Sequence, residues 1–181
     1  MLNVLLLDGH TVQSISVARA LKKTGYKVIA FVSERISFGA VCRYIDKRIW
    51  APKVTDSEKY IRFLCDYLTR NRVDVIIPMY DDSAELLSRN KAMFEARFAV
   101  RCAVPDFPVF DKAHDKQKLM EFCRKRGFPH PATARLSEEN IEMAAGYVGF
   151  PAIIKPNISA GARGIVQVDS IEDIHRKFPV I

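Results

Sequence analysis

Apolar positions along this chain alternate between two spacings, and the alternation predicts its elements. Asn3 to Leu7 (NVLLL) is an unbroken apolar run, the kind buried on both faces of a parallel sheet. Val12, Ile15, Ala18 and Leu21 then recur at helical spacing, and Gly25 stops that helix. Lys27 to Val32 predicts a second strand, Phe38 to Tyr44 a short helix, and Arg48 to Trp50 a third strand closed by Pro52. Ile61, Leu64, Cys65 and Leu68 mark a long helix capped from the Thr55–Asp56–Ser57 cluster. Asp74 to Pro78 (DVIIP) is extended again. Asp82 and Glu85 have capping-box spacing and open a helix through Arg89, and Ala99 to Val104 is the last strand of this half. Strands alternating with helices predict an α/β fold, a doubly wound, mostly parallel, Rossmann-like sheet.

Pro105 to Pro108 (PDFP) breaks the pattern, and α+β spacing follows. Asp115 to Arg126 predicts a helix with Leu119, Phe122 and Cys123 on one face. Gly127 ends it, and Pro129 and Pro131 prevent its return. Ala132 to Leu136 reads as a strand, and Ser137 caps a helix that Gly149 ends after Val148. Pro151 to Lys155, a loop from Asn157 to Gly164, Ile165 to Val168 and Ile171 to Lys177 read as strand, loop, strand and helix. The expected domains are therefore 1–110 and 111–181.

Composition narrows the function classes. Hydrophobic residues make up 49% of 181 positions, enough for a packed core, yet no run approaches the ~20 residues of a membrane span. Met1 to Leu7 is too short for a signal peptide, and Asp8 interrupts it. Cys42, Cys65, Cys102 and Cys123 are dispersed with no CxxC, which predicts reduced thiols in a cytoplasmic protein. The four histidines are equally dispersed, and no metal site is assigned. The net charge of +7 suits an anionic ligand. Its lysines and arginines are scattered without aromatic interleaving, so nucleic acid is disfavoured.

Two regions carry candidate chemistry. A strand ending on Lys155, followed by a loop with Ser159, Ala160, Gly161 and Gly164, suits a polyanion: glycines let successive N–H groups face one phosphate, and the lysine adds a charge. A β-hairpin with a long tip explains the same residues, and no Gly-Lys-Ser/Thr makes this a P-loop. In the first half, ligands of a doubly wound sheet sit at the carboxyl ends of strands. Gly9 and His10 lie in one such loop, Asp81 and Asp82 in another. Gly9 stands alone where a dinucleotide fingerprint needs three glycines, so NAD is disfavoured. Asp82 is equally explained as a helix cap.

Asp115–Lys116 at a helix start, then Gly127–Phe128–Pro129 and Pro131–Ala132–Thr133, resemble the opening of an ATP-grasp domain. The string Gly149–Phe150–Pro151–Ala152–Ile153–Ile154–Lys155–Pro156, followed by Ser159 to Ile165, resembles that superfamily's next signature. The preceding α/β half looks like its pre-ATP-grasp domain, and Cys42–Arg43–Tyr44–Ile45–Asp46 is similar to a string in carboxylate–amine ligase-like members. The resemblance covers essentially the whole chain and includes carbamoyl phosphate synthase large subunits. It implies an enzyme that uses ATP and Mg2+ to turn a carboxylate or bicarbonate into an acyl phosphate, which an amine then attacks. It implies that Lys116 and Lys155 contact the phosphates, and that Ser159, Ala160, Gly161 and Gly164 belong to the flap above them. Arg163 reads either as a flap contact or as a solvated side chain.

The superfamily pattern continues well beyond the flap, where its metal and catalytic residues lie, so the chain reads as an N-terminal fragment, inactive alone. Disorder or non-native pairing is then expected near Ile158 to Ile181. The partners implied are ATP and a small carboxylate, with no membrane, and the oligomeric state stays open, a homo-oligomer included. A stand-alone nucleotide-binding or regulatory module is the alternative.

Overall fold

Continuous burial along the first two strands is what builds the larger half of the molecule. The computed structural model describes residues 1–159 and 161–178. The chain divides into two units, Met1–Phe110 and Asp111–Ile181. In the first, β1 (Asn3–Leu6), β2 (Lys27–Val32), β3 (Lys47–Trp50), β4 (Val75–Ile77) and β5 (Arg101–Cys102) form one sheet in the order β3-β2-β1-β4-β5. Every pairing is parallel, with Val4 opposite Val28 on one side and Val75 on the other.

Successive side chains of a strand point to opposite faces, and both faces are buried here. Leu5, Leu7, Ile29, Phe31 and Ile76 pack on one side, and Val4, Leu6, Val28 and Ala30 on the other. That double burial is why the strands read as unbroken apolar runs. Leu5, Leu6 and Leu7 are fully buried, each contributing about 1.5–3 kcal/mol relative to exposure.

Helices cover both faces. Helix α1 (Val12–Lys23) lies with Ala18 on the second face. Helix α2 (Ser57–Arg70) buries Tyr60, Leu64, Tyr67 and Leu68 against the first, at helical spacing, and Asp56 caps it by accepting from the Lys59 N–H. Helices α3 (Asp81–Arg89) and α4 (Lys91–Phe98) add Leu86, Leu87 and Phe94 to the same side.

The motif residue Asp46 has a structural task. Its carboxylate accepts from the Val28 N–H at 2.9 Å and pairs with Lys22. Burial pushes that carboxyl up, but the Lys22 and Val28 donors outweigh it and hold it below the usual range.

In the second unit, Asp115 caps α6 (Lys116–Arg126) by accepting from the Gln117 and Lys118 N–H groups. Gly127 ends it in the left-handed region at φ +69. Ser137 and Asn140 form a reciprocal capping box before α7 (Ile141–Val148). An antiparallel hairpin of β6 (Ala152–Ile154) and β7 (Val166–Val168), together with α8 (Ile171–Lys177), closes a small core of Ile141, Ala145, Val168 and Ile174.

Several expectations need correction. Asp82 does not cap its helix: the chain turns helical one residue earlier, Tyr80 is the N-cap, and no side chain caps it. Asp81 and Asp82 instead stand in the first turn, where carboxylates meet the positive end of the helix dipole. The strand from Ala99 shortens to two residues, because α4 and the left-handed Ala99 occupy what precedes it. Phe38 to Tyr44 yields only a 3-10 turn at Gly39–Val41, and Ala132 to Leu136 has no sheet partner and stays irregular. Helix α5 (Phe107–His114) runs through the predicted break, with Pro108 in its first turn, where a missing N–H costs nothing. Over the described part of Ile158 to Ile181 the chain pairs β7 with β6 and buries Val168 and Ile174 rather than losing order. No helix among the described residues is long and apolar enough to cross a membrane.

Candidate functional site

Each unit holds a cavity. In the second unit, about 800 Å3 opens between α6, α7 and the β6 strand, within the usual range of ligand pockets. Lys116 and Lys155 both line it. The helix N-terminus places the first and the end of β6 the second, so both lysines border one space. Apolar side chains such as Met120, Ile154 and Phe150 make much of the remaining wall.

The two lysines differ in what holds them. The Lys116 amine donates to the Asn157 carbonyl, the Ser159 carbonyl and the Ser159 hydroxyl, each at 3.2 Å. Its backbone N–H also donates to the Asn157 carbonyl, at 3.1 Å, and Asn157 Nδ2 reaches Gln117 Oε1 at 3.3 Å. The start of the loop is thus tied to the start of α6. Lys155 is exposed and has no hydrogen-bond or ion-pair partner among the described residues.

Ser159 therefore serves Lys116 here. Gly161 and Gly164 are exposed at φ +64 and +70, and Arg163 is exposed beside them. Ala160 lies outside the described residues.

The first unit carries about 180 Å3 at the carboxyl ends of β1, β2 and β3. His10 and Asp82 line it. Gly9 and Asp81 do not. Gly9 is packed beneath it: its N–H donates to the Phe31 carbonyl at 2.7 Å, and its own carbonyl accepts from the Ser14 hydroxyl at 2.7 Å. Asp81 is exposed in the first turn of α3. His10 Nδ1 lies 3.3 Å from the Ser33 hydroxyl.

The residues missed by sequence reasoning are Asp8, Tyr60 and Tyr80. Asp8 is buried at φ +54. The Ser83 hydroxyl donates to its carboxylate, joining the loop after β1 to α3. Burial pushes the Asp8 carboxyl above its usual range, against the Ser83 hydroxyl, His10 and the Met79 backbone, which favour the ionised form. Tyr60 sits at a core position of α2, yet it reaches the cavity, and its hydroxyl has no partner among the described residues. The only sequence signal was an Asp-Gly pair after a strand and a tyrosine at a helical core position.

Comparison with known proteins fits both units. A sequence profile for the PylC-like, N-terminal domain matches residues 5–100. The carbamoyl phosphate synthase large chain, N-terminal section, of Aquifex aeolicus is 24% identical over 169 residues, covering 90% of this chain and 29% of that protein. The biotin carboxylase domain of Hydrogenobacter thermophilus 2-oxoglutarate carboxylase, solved with MgADP, ADP and bicarbonate, superposes with a TM-score of 0.72. It is 19% identical, with 98% of this chain and 40% of that one covered. N5-carboxyaminoimidazole ribonucleotide synthetase from Thermus thermophilus gives 0.72 at 16% identity, covering 98% and 43%. The chain spans roughly a third of the length of the curated relative and two-fifths of the solved chains. These likenesses show a shared fold.

Proposed function

The chain belongs to the PylC-like, N-terminal domain family, and from that premise we propose that it is the N-terminal part of an ATP-dependent ligase. In this reading the whole enzyme activates a carboxylate or bicarbonate as an acyl phosphate, which an amine attacks. The observation that carries it is the convergence of Lys116 and Lys155 on one cavity of about 800 Å3.

ATP, when bound, supplies the phosphoryl group that makes a carboxylate a good acyl donor. Lys116 and Lys155 supply fixed positive charge to its phosphates, and such preorganised charge acts most strongly where water is excluded. Lys155, with no partner to give up among the described residues, contacts phosphate without rearrangement. Lys116 must share its donors with Asn157 and Ser159, so phosphate binding there moves the start of the glycine loop. The mixed wall of the cavity suits a nucleoside with a charged tail.

The residues present do not fit Mg2+: among the described residues no group of three His, Cys, Asp or Glu side chains is arranged to hold a metal ion. No step is derived through the metal. The first phosphate contacts come from this chain, and metal ligands and catalytic groups belong to other parts of the enzyme. The substrate-side contacts assigned to the first unit are His10 and Asp82.

ATP binding by the purified 181-residue chain tests the reading by calorimetry. One lost charge-assisted contact is worth about 1.5–3 kcal/mol, so Lys155→Ala weakens ATP binding about 10- to 100-fold. Equal ATP affinity in the wild type and Lys155→Ala refutes the assignment.

A further inference from the structure

We infer that the small cavity at the carboxyl ends of β1, β2 and β3 is a subsite for an alkylammonium group. Its wall combines the carboxylates of Asp8, Glu34 and Asp82 with the rings of Phe31, Tyr60 and Tyr80. Carboxylates and π faces both attract an ammonium ion. Lys53 is the single lysine or arginine among the described residues of the wall, so three acidic side chains face one fixed cation.

A second observation points to a ligand independently. Tyr60 is only 2% exposed, and its hydroxyl has no hydrogen-bond partner among the described residues. Native interiors rarely leave such a group unpaired. Burial, and after it the neighbouring Asp8 charge, keep this phenol protonated, and its oxygen is free to accept an ammonium N–H. Asp8 itself is held in the left-handed region, a strained conformation for a residue with a side chain and one that concentrates at binding sites.

Size limits the ligand. About 180 Å3 is roughly six times the ~30 Å3 share of one water in the liquid. That admits an aminoalkyl end and excludes a nucleoside. A protonated nitrogen has no lone pair, so the group held here is a recognition handle. The reacting group, the activated carboxylate or the attacking amine, lies elsewhere on the same substrate. This last step rests on the ligase reading; the ammonium subsite rests on the first unit alone.

NMR titration of the full 181-residue chain, labelled in its aromatic rings, with n-butylammonium tests the inference. Saturable shifts at Tyr60 and Tyr80 are expected, with affinity at least tenfold above that for 1-butanol, the neutral isostere. Asp82→Asn and Glu34→Gln, both at exposed positions, each weaken it severalfold. Three results overturn it: no saturable shift, equal affinity for 1-butanol, or tighter binding of butyrate. ATP titrated into the same sample separates the two readings. Nucleotide binding without ammonium binding sinks the subsite alone, and ammonium binding without nucleotide binding sinks the ligase assignment alone.

Discussion

Gly39→Ala tests whether backbone packed on backbone holds the floor of the small cavity. A methyl on Gly39 would lie 1.5 Å from the Gly9 carbonyl oxygen and 2.5 Å from its carbon. Real methyl contacts stay beyond 3.0 Å, so something must move by at least 1.5 Å. The obstacle is main chain, and no rotamer change relieves it. Gly9 has nowhere to go: a methyl on its own Cα would lie 2.5 Å from Ala30 Cβ. Moving Gly9 breaks its bonds with Phe31 and Ser14, about 1 kcal/mol each. Moving the turn instead strips Arg48, whose Nε donates to the Gly39 carbonyl at 3.2 Å. Overpacking adds about 1 kcal/mol or more. The expected loss is about 3 kcal/mol.

Gly25→Ala is the control. Its methyl meets open space and only the φ of +84 opposes it, costing about 1 kcal/mol. Trp50, the single tryptophan, lies in β3 and reports unfolding of the first unit. With a urea slope of about 2 kcal/mol/M, Gly39→Ala lowers the fluorescence midpoint by about 1.5 M and Gly25→Ala by about 0.5 M. A Gly39→Ala midpoint no lower than that of Gly25→Ala refutes the packing argument.

Two carboxylates should bend the pH dependence of stability in opposite senses. Asp74 accepts the Asn3 N–H at 2.7 Å, and that bond, with Arg72 in support, holds its carboxyl below the usual range despite some desolvation. Its stabilisation is present above the unfolded value near 3.9 and is lost as pH falls through the folded value. Asp74→Asn should therefore flatten the acid limb of a thermal-melt series; an unchanged limb counts against this. Asp8 is raised by burial, so the wild type loses stability as pH rises from the unfolded value through the folded one. Asp8→Asn should gain on the wild type from pH 4 to 7 by circular dichroism, and a gap that shrinks over that range contradicts the assignment. Lys116→Met removes three donors to Asn157 and Ser159, and limited proteolysis should cut the 157–164 loop several times faster. Equal cutting rates would show that this amine does not restrain the loop.

Local chemistry was legible where one element decides its own fate. The α2 cap at Asp56, the α6 cap at Asp115 and the stop at Gly127 follow from side chains within one turn of their targets. The double-faced strands were legible for the same reason: parallel sheets bury both faces, and an apolar run records it. Helix α4 was not, because its apolar residues are spread around the helix instead of gathered on one face, and Phe94 packs into the core beside the sheet. The cap suggested by Asp82–Glu85 spacing does not form, because the helix already starts at Asp81 and leaves Asp82 inside its first turn.

By itself the sequence determined the alternation of strands and helices and the caps at Asp56 and Asp115, since each depends on spacing along the chain; the assignment of both Lys116 and Lys155 to the phosphates came from resemblance, not from spacing. Only the tertiary structure decided that Lys116 is held by Asn157 and Ser159, and that Asp8, Tyr60 and Asp82 line one small cavity. Those groups lie tens of residues apart. Sheet order and helix packing bring them together, and no local period encodes that distance.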